Sequence, residues 1–346
     1  MKKWSRSTLF FSRPFHCAAC LALPLLLLTT SCVNMNVSLF GPKRGPLEEE
    51  RIKGAGGKRF TQDKILIIDL VGVVASFGQK SMLVTLKDRL QKAEQDKQVK
   101  GVVLRINSPG GGVTASDVIY HELLSFKERM KKERGTFPVI AIMEDIAASG
   151  GVYIAMAADE IYALPTTTTG SIGVIAAWPK WKGLTEKLGL EMNVIKSADK
   201  KDIGSPWRDL TAAEQVIFQD MIDHLYQRFL DIIVTSRESK GLDREALIAF
   251  ADGRVFVSQI ALEHKLIDGI EYMDEVLERA RTIAGTPEAK VISYEYEGAF
   301  RGNIYAESEI PAPAVNLGNV ELIDLKVLDA GAAAHTRFLY LWSPGL

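Results

Sequence analysis

Ser149 is the residue of this sequence best suited to covalent chemistry. It lies in Ala147-Ala148-Ser149-Gly150-Gly151, behind the apolar run Val139–Met143 and the pair Glu144-Asp145. An apolar strand ending in small residues, with a helix opening at Ser-Gly-Gly, matches a nucleophile elbow. There the hydroxyl is presented at a strand end and small neighbours admit a substrate backbone. Serine is equally a favoured helix N-cap, and the local sequence fits both roles.

A nucleophilic serine needs a place for the developing oxyanion and a base for its proton. The loop Asn107-Ser108-Pro109-Gly110-Gly111-Gly112 offers the first. It lacks the Gly-Lys-Ser/Thr ending of a phosphate loop and the GxGxxG spacing of a dinucleotide site. It is either a strand–helix turn that needs glycine dihedrals or an oxyanion hole, in which each N–H contributes roughly 3–4 kcal/mol. The base is less obvious. The five histidines are His16, His121, His224, His264 and His335, and none stands at a strand end or in a glycine loop. That argues against a Ser-His-Asp triad, and no HExxH or comparable metal spacing occurs. A lysine can serve if burial lowers its pKa by about 3 units from ~10.4. Candidates lie in Lys196–Pro206, although a charge cluster of this kind is ordinarily a solvated loop.

Several segments, taken in order, resemble the SppA signal peptide peptidase (protease IV) family. They are Arg105–Gly111, Ala147–Gly151, Thr169-Gly170-Ser171-Ile172-Gly173-Val174, and Lys196–Pro206, which fits Lys-Ser-x-x-x-Lys-Asp-x-x-Ser-Pro. Ala251-Asp252-Gly253-Arg254-Val255-Phe256, then Ala261-Leu262 and Leu266-Ile267-Asp268, match a later signature, so the resemblance spans roughly residues 62–285. It implies that Ser149 is the nucleophile and that Lys201, the lysine before Asp202, is the general base. It further implies that Ser171 orients the lysine and that Gly111 and Gly150 donate the oxyanion hydrogen bonds. The implied fold is α/β, a ClpP/crotonase-like spiral of ββα units with a helical extension. Short, single-unit members form homo-oligomeric rings in which the dyad can form across subunits.

The elements that must hold these residues follow from apolar periodicity. Ile65–Val74 and Val102–Ile106 read as buried strands, with Met82, Leu86, Leu90 and Ala93 as a helical stripe between them. Val118, Ile119, Leu123, Phe126 and Met130 form a second stripe, and Val139–Met143 a third strand. Short strands are predicted at Glu160–Ala163, Ile172–Ile175 and Met192–Ile195. Thr211-Ala212-Ala213-Glu214 is a capping box for a long helix towards Ser239. Shorter helices are predicted over Arg244–Phe250 and Met273–Ala284.

The N-terminus is a targeting segment. Lys2, Lys3, Arg6 and Arg13 precede the apolar stretch Ala18–Leu28, which is shorter than the ~20 residues a spanning helix needs. Thr29-Thr30-Ser31-Cys32 resembles a lipoprotein lipobox with Cys32 as the lipidated residue, although Thr29 replaces the usual large aliphatic residue. An uncleaved anchor is the alternative. Both place the body outside the cytoplasm of a bacterium, tethered to a membrane of the cell envelope, and Asn34 in place of Asp favours the outer membrane. The resulting expectation is a signal peptide over 1–31, a flexible tether over 32–61 and a peptidase domain over 62–285. The tail, 286–346, ends in the apolar run Phe338–Trp342, which would dock on a neighbouring subunit or pack on its own domain.

All three cysteines lie in the first 32 residues, so the body holds neither disulfide nor cysteine-based zinc site, and Cys17-x-x-Cys20 lacks a βα setting. A net charge of −1 gives no reason to expect nucleic-acid binding. The sequence thus points to a membrane-tethered serine endopeptidase acting on hydrophobic peptides such as cleaved signal peptides, without metal or organic cofactor. A crotonase-like acyl-CoA enzyme and an inactive lipoprotein scaffold are the alternatives.

Overall fold

A computed structural model of the protein describes residues 45–58, 60–75, 81–296, 299, 303–306 and 337–341. The expected targeting segment and Cys32 lie outside the described residues. Twelve strands are described. In chain order they begin with β1 (Leu47–Arg51), β2 (Lys64–Val71), β3 (Val99–Ser108), β4 (Gly110–Gly112), β5 (Val139–Ala148) and β6 (Glu160–Ala163). The rest are β7 (Thr168–Gly170), β8 (Ile175–Ala177), β9 (Val255–Val257), β10 (Gly269–Ile270), β11 (Lys290–Tyr296) and β12 (Arg337–Leu341). The helices are α1 (Met82–Gln95), α2 (Val113–Arg134), α3 (Gly150–Ala155), α4 (Lys182–Leu188), α5 (Ala212–Arg237), α6 (Arg244–Ile248), α7 (Ser258–Glu263) and α8 (Met273–Ile283).

The main sheet runs β1-β11-β2-β3-β5-β6-β10, with β7 attached to the end of β5 and β9 to β7. Its centre is parallel, as βα crossovers require. Side chains of β2 alternate between two cores. Leu66, Ile68 and Leu70 face a cluster with Leu86 of α1 and Ile119, Leu123 and Phe126 of α2. Ile65 and Ile67 face the other, with Val276, Leu277 and Ala280 of α8. A strand covered on both faces must be apolar at every position, which explains the continuous runs in the sequence. The fold is the Clp-protease-like α/β class expected from the sequence.

Several expectations about the chain need correction. Leu47–Arg51, assigned to the tether, is an edge strand paired antiparallel with β11, itself inside the expected tail. Mixed charge hid β1, because an edge strand can leave Glu48 and Glu49 in solvent and use Glu49 to pair Lys64 at 2.6 Å. Lys290–Tyr296 then extends the sheet beside β2. The expected strand at Met192–Ile195 is exposed coil, with no strand alongside among the described residues to satisfy its backbone. The expected strand at Ile172–Ile175 is displaced into β7 and β8, which flank it. The long helix starts where expected, and the Thr211–Glu214 capping box forms in both directions.

Candidate active site

The end of β5 delivers Ser149 into an unusual backbone conformation, φ 52° and ψ −109°. A non-glycine residue with positive φ is strained by of order 1–3 kcal/mol and persists only where its surroundings enforce it. Here the enforcement is visible. The Ser149 N–H donates to Gly170 O at 2.8 Å, and its C=O accepts the first bond of α3 from Tyr153 N at 3.0 Å. Ser149 is therefore the N-cap of α3 by backbone position, yet its hydroxyl makes no capping hydrogen bond. The Oγ is buried and, among the described residues, has no hydrogen-bond partner. An unsatisfied buried hydroxyl costs about 1–3 kcal/mol.

Two glycine segments close around this serine. A Cβ on Gly150 would come within 2.6 Å of Ser116 Oγ, 3.0 Å of Gly110 Cα and 3.2 Å of Gly111 N. The start of α3 and β4 thus touch backbone to backbone. Val74 N donates to Gly110 O at 2.8 Å, and Gly112 N donates to Val74 O at 2.9 Å. Alternation along a strand turns the N–H of Gly111, between them, to the opposite side. The Gly111 nitrogen thus lies close to the start of α3, 3.2 Å from where a Gly150 Cβ would stand, with its N–H turned away from Val74.

Ser171 follows β7, which pairs parallel with β5 in the register Ala148↔Gly170. Ser149 and Ser171 are thus the residues that immediately follow the paired ends of two adjacent strands. Both carry φ 52°, and Ser171 is held by its N–H donating to Arg254 O at 2.7 Å. The cleft opening from Ser171 towards Tyr226, Asp252 and Leu341 has a volume of about 520 Å³.

Lys201 is not brought to this site within the chain. It sits in a 3-10 turn, Asp199–Asp202, in a stretch exposed continuously from Glu186 to Lys201. Among the described residues it forms no ion pair, whereas Lys196 pairs with Asp202 at 2.7 Å. Arg208 bridges Asp202 at 2.8 Å and Glu214 at 2.7 Å, tying the turn to the first turn of α5. These contacts hold the Asp202 carboxyl far below its usual range, the Arg208 hydrogen bond being the largest cause. Glu214 is lowered to about 2, again chiefly by Arg208.

The sequence left one feature of the site open, namely where its apolar terminus goes. Residues 337–341 pair with strands of their own chain. They form β12, antiparallel to β4 on one edge and to β8 on the other. A strand between two others satisfies its backbone on both sides, and Tyr340 is fully buried. The clue was the spacing of Phe338, Tyr340 and Trp342 at alternate positions, the period of a strand.

Comparison with known proteins bears on this arrangement. The profile of peptidase family S49 matches residues 131–286, and that of Clp protease matches residues 66–170. A chain of Enterococcus faecium, provisionally named signal peptide peptidase SppA, is 33% identical over 75% of this chain and 75% of its own length. A provisionally named protease of Synechocystis sp. is 35% identical over 82% of this chain and 98% of its own length. The chain belongs to peptidase family S49. It is a serine-type peptidase, which sets aside the acyl-CoA reading. Protease 4 of Haemophilus influenzae is 31% identical over 64% of this chain but only 35% of its own length, so the S49 chain described here is similar to a part of that larger protein.

Proposed function

We propose that this S49 peptidase is a membrane-tethered endopeptidase that hydrolyses hydrophobic peptides, with Ser149 as nucleophile and Lys201 as general base. The observation that carries the proposal is the Ser149 hydroxyl, buried, on a strained backbone and, among the described residues, without a hydrogen-bond partner, next to the close approach of Gly150 to Gly110 and Gly111. Lys201 takes the hydroxyl proton as Oγ attacks the scissile carbonyl, and the N–H groups of Gly111 and Gly150 receive the oxyanion. The tetrahedral intermediate collapses as the lysine returns the proton to the leaving amine. Water then attacks the acyl-enzyme, the lysine again acting as base, and releases the acid with Ser149 regenerated. Ser171 orients the lysine.

In this proposal the lysine comes from a neighbouring subunit of a ring. Leu188, Leu190, Met192, Val194 and Ile195 lie just before the Lys201 turn and are all at least half exposed. Apolar side chains so concentrated on a surface mark an association site. A neighbour covering them would also remove water from the ammonium, as a lysine base requires. The tether is the segment before β1, anchored through Cys32 to a membrane of the bacterial envelope. Among the described residues no helix is long and apolar enough to cross a membrane.

Mixing two inactive variants tests the arrangement. Ser149→Ala and Lys201→Ala should each lose turnover of a hydrophobic peptide. Subunits unfolded together and reassembled one to one should regain about a quarter of the sites, since a head-to-tail ring pairs intact partners at random. Undiminished turnover in either variant alone would rule out the dyad. Two inactive variants that never complement would place both residues in one subunit.

A further inference from the structure

Helix α5 carries a buried glutamate where burial is least expected. Its fully buried apolar residues begin at Phe229 and Leu230, and residues 215–228 are all exposed or half-buried. The first half of α5 is therefore an arm that lies largely in solvent. Fifteen residues separate Glu214 from Phe229, about 22 Å at 1.5 Å per residue. Among the described residues from 212 to 228, Glu214 alone is buried. Arg208 covers it, with Nη1 donating to Oε2 at 2.8 Å and Nη2 to Oε1 at 2.7 Å. The same carboxylate accepts the Thr211 N–H at 3.0 Å, so the helix cap and the guanidinium share one anchor.

The other edge of the guanidinium holds the turn that bears Lys201. Arg208 Nε donates to Asp202 Oδ2 at 3.0 Å and Nη2 to Oδ1 at 2.8 Å, and Nη2 also reaches the Asp202 carbonyl at 3.2 Å. Lys196 donates to Asp202 Oδ1 at 2.7 Å and to Asp199 O at 3.0 Å. Both oxygens of Asp202 are thus taken by cations other than its chain neighbour Lys201. A lysine paired with a carboxylate is held in its charged form and accepts no proton. The stretch is fastened to α4 as well, since Pro206 O accepts from Trp181 N at 2.7 Å and Lys182 N at 3.2 Å. Partly exposed ion pairs add little to the stability of a fold, roughly 0–1 kcal/mol each. What they fix here is the place of an exposed turn.

We propose that Arg208 is a positioning residue for the reaction. It registers the Lys201 turn against the tip of α5 and, by occupying Asp202, leaves Lys201 unpaired for the Ser149 hydroxyl. The proposal rests on Lys201 being the general base. The planar fork of arginine meets two carboxylates at once, which a single ammonium does not. Because the arm stands away from the core, the residue acts on the serine of the neighbouring subunit and leaves the cleft of its own subunit untouched.

The test uses full-length Arg208→Ala and steady-state hydrolysis of a hydrophobic peptide, with thermal unfolding alongside. Displacing the base should lower kcat about 10²-fold while KM stays within about twofold. Mixing then locates the defect. Reassembled one to one with Ser149→Ala, Arg208→Ala should recover about a quarter of wild-type turnover, because each Ser149→Ala subunit still presents an intact lysine turn. Reassembled with Lys201→Ala it should recover nothing beyond its own residual rate. If Arg208→Ala fails to assemble, Glu214→Gln loosens the same clamp from the far side and should give the same pattern with a smaller loss. A kcat within threefold of wild type, recovery with Lys201→Ala, or recovery with neither partner overturns the positioning role. If Ser149→Ala and Lys201→Ala do not complement each other, the arrangement across subunits fails instead, and Arg208 is then judged by its kcat and KM alone.

Discussion

Replacing Gly150 by alanine tests the contact on which the proposed oxyanion hole depends. The added Cβ meets Ser116 Oγ at 2.6 Å, Gly110 Cα at 3.0 Å and Gly111 N at 3.2 Å. Ser116 can rotate its hydroxyl away, but Gly110 and Gly111 are backbone held by β12 and Val74. The two glycine segments must therefore move apart by a few tenths of an ångström, and the two N–H groups no longer converge. Overpacking of this size costs about 1–3 kcal/mol of stability, which a domain this large survives. Loss of one oxyanion donor costs roughly 10²–10³ in kcat. The assay is steady-state hydrolysis of a peptide ester, with thermal unfolding followed alongside. Adding Ser116→Ala should not restore activity, because the backbone contacts remain. A folded Gly150→Ala variant with kcat within threefold of wild type would refute the reasoning.

Three further outcomes follow from other parts of the molecule. Arg105 is completely buried and bonds Asp69 twice, at 2.9 and 2.8 Å, with Glu144 at 3.6 Å and the Ile304 and Ala306 carbonyls as its other partners, so Asp69→Ala leaves the guanidinium only partly compensated and should cost about 3 kcal/mol by chemical denaturation. Ile195 is fully exposed in the chain, so Ile195→Asp should leave the thermal transition unchanged while reducing the mass seen by light scattering; an unchanged mass would exclude this segment from the interface. Glu214 titrates near 2 in the folded chain against an ordinary 4.5, so its contribution is complete above about 4.5 and disappears as pH falls through about 2. Amides of Thr211–Gln215 should accordingly lose protection, taken relative to their intrinsic exchange rates, as pH falls between those values, and Arg208→Ala should weaken that pH dependence.

Much of this was legible in the sequence because the central strands are buried on both faces. Ile65–Ile68 and Val139–Met143 have no choice of face, so composition alone identifies them. The glycine segments next to Ser149 were legible for a different reason: Gly110 and Gly150 stand where backbones touch, and a Cβ would collide there. What resisted were elements whose partners lie far along the chain. β1 is charged at every position but Leu47 and makes sense only once β11, from the far end of the domain's sequence, lies beside it in the register Leu47↔Tyr296 to Arg51↔Ile292. Met192–Ile195 has strand composition but, among the described residues, meets no strand, and the side chains of Met192, Val194 and Ile195 remain in solvent. β12 was visible as an apolar terminus, yet nothing local indicated that it enters the cleft between β4 and β8.

The most direct measurement of the central claim is the site and rate of fluorophosphonate modification, read by mass spectrometry of the digested protein. The account requires one adduct, on the peptide containing Ser149, lost in Ser149→Ala and slowed roughly 10²–10⁴-fold in Lys201→Ala. An adduct on another serine, or modification of Ser149 at the wild-type rate without Lys201, would contradict it.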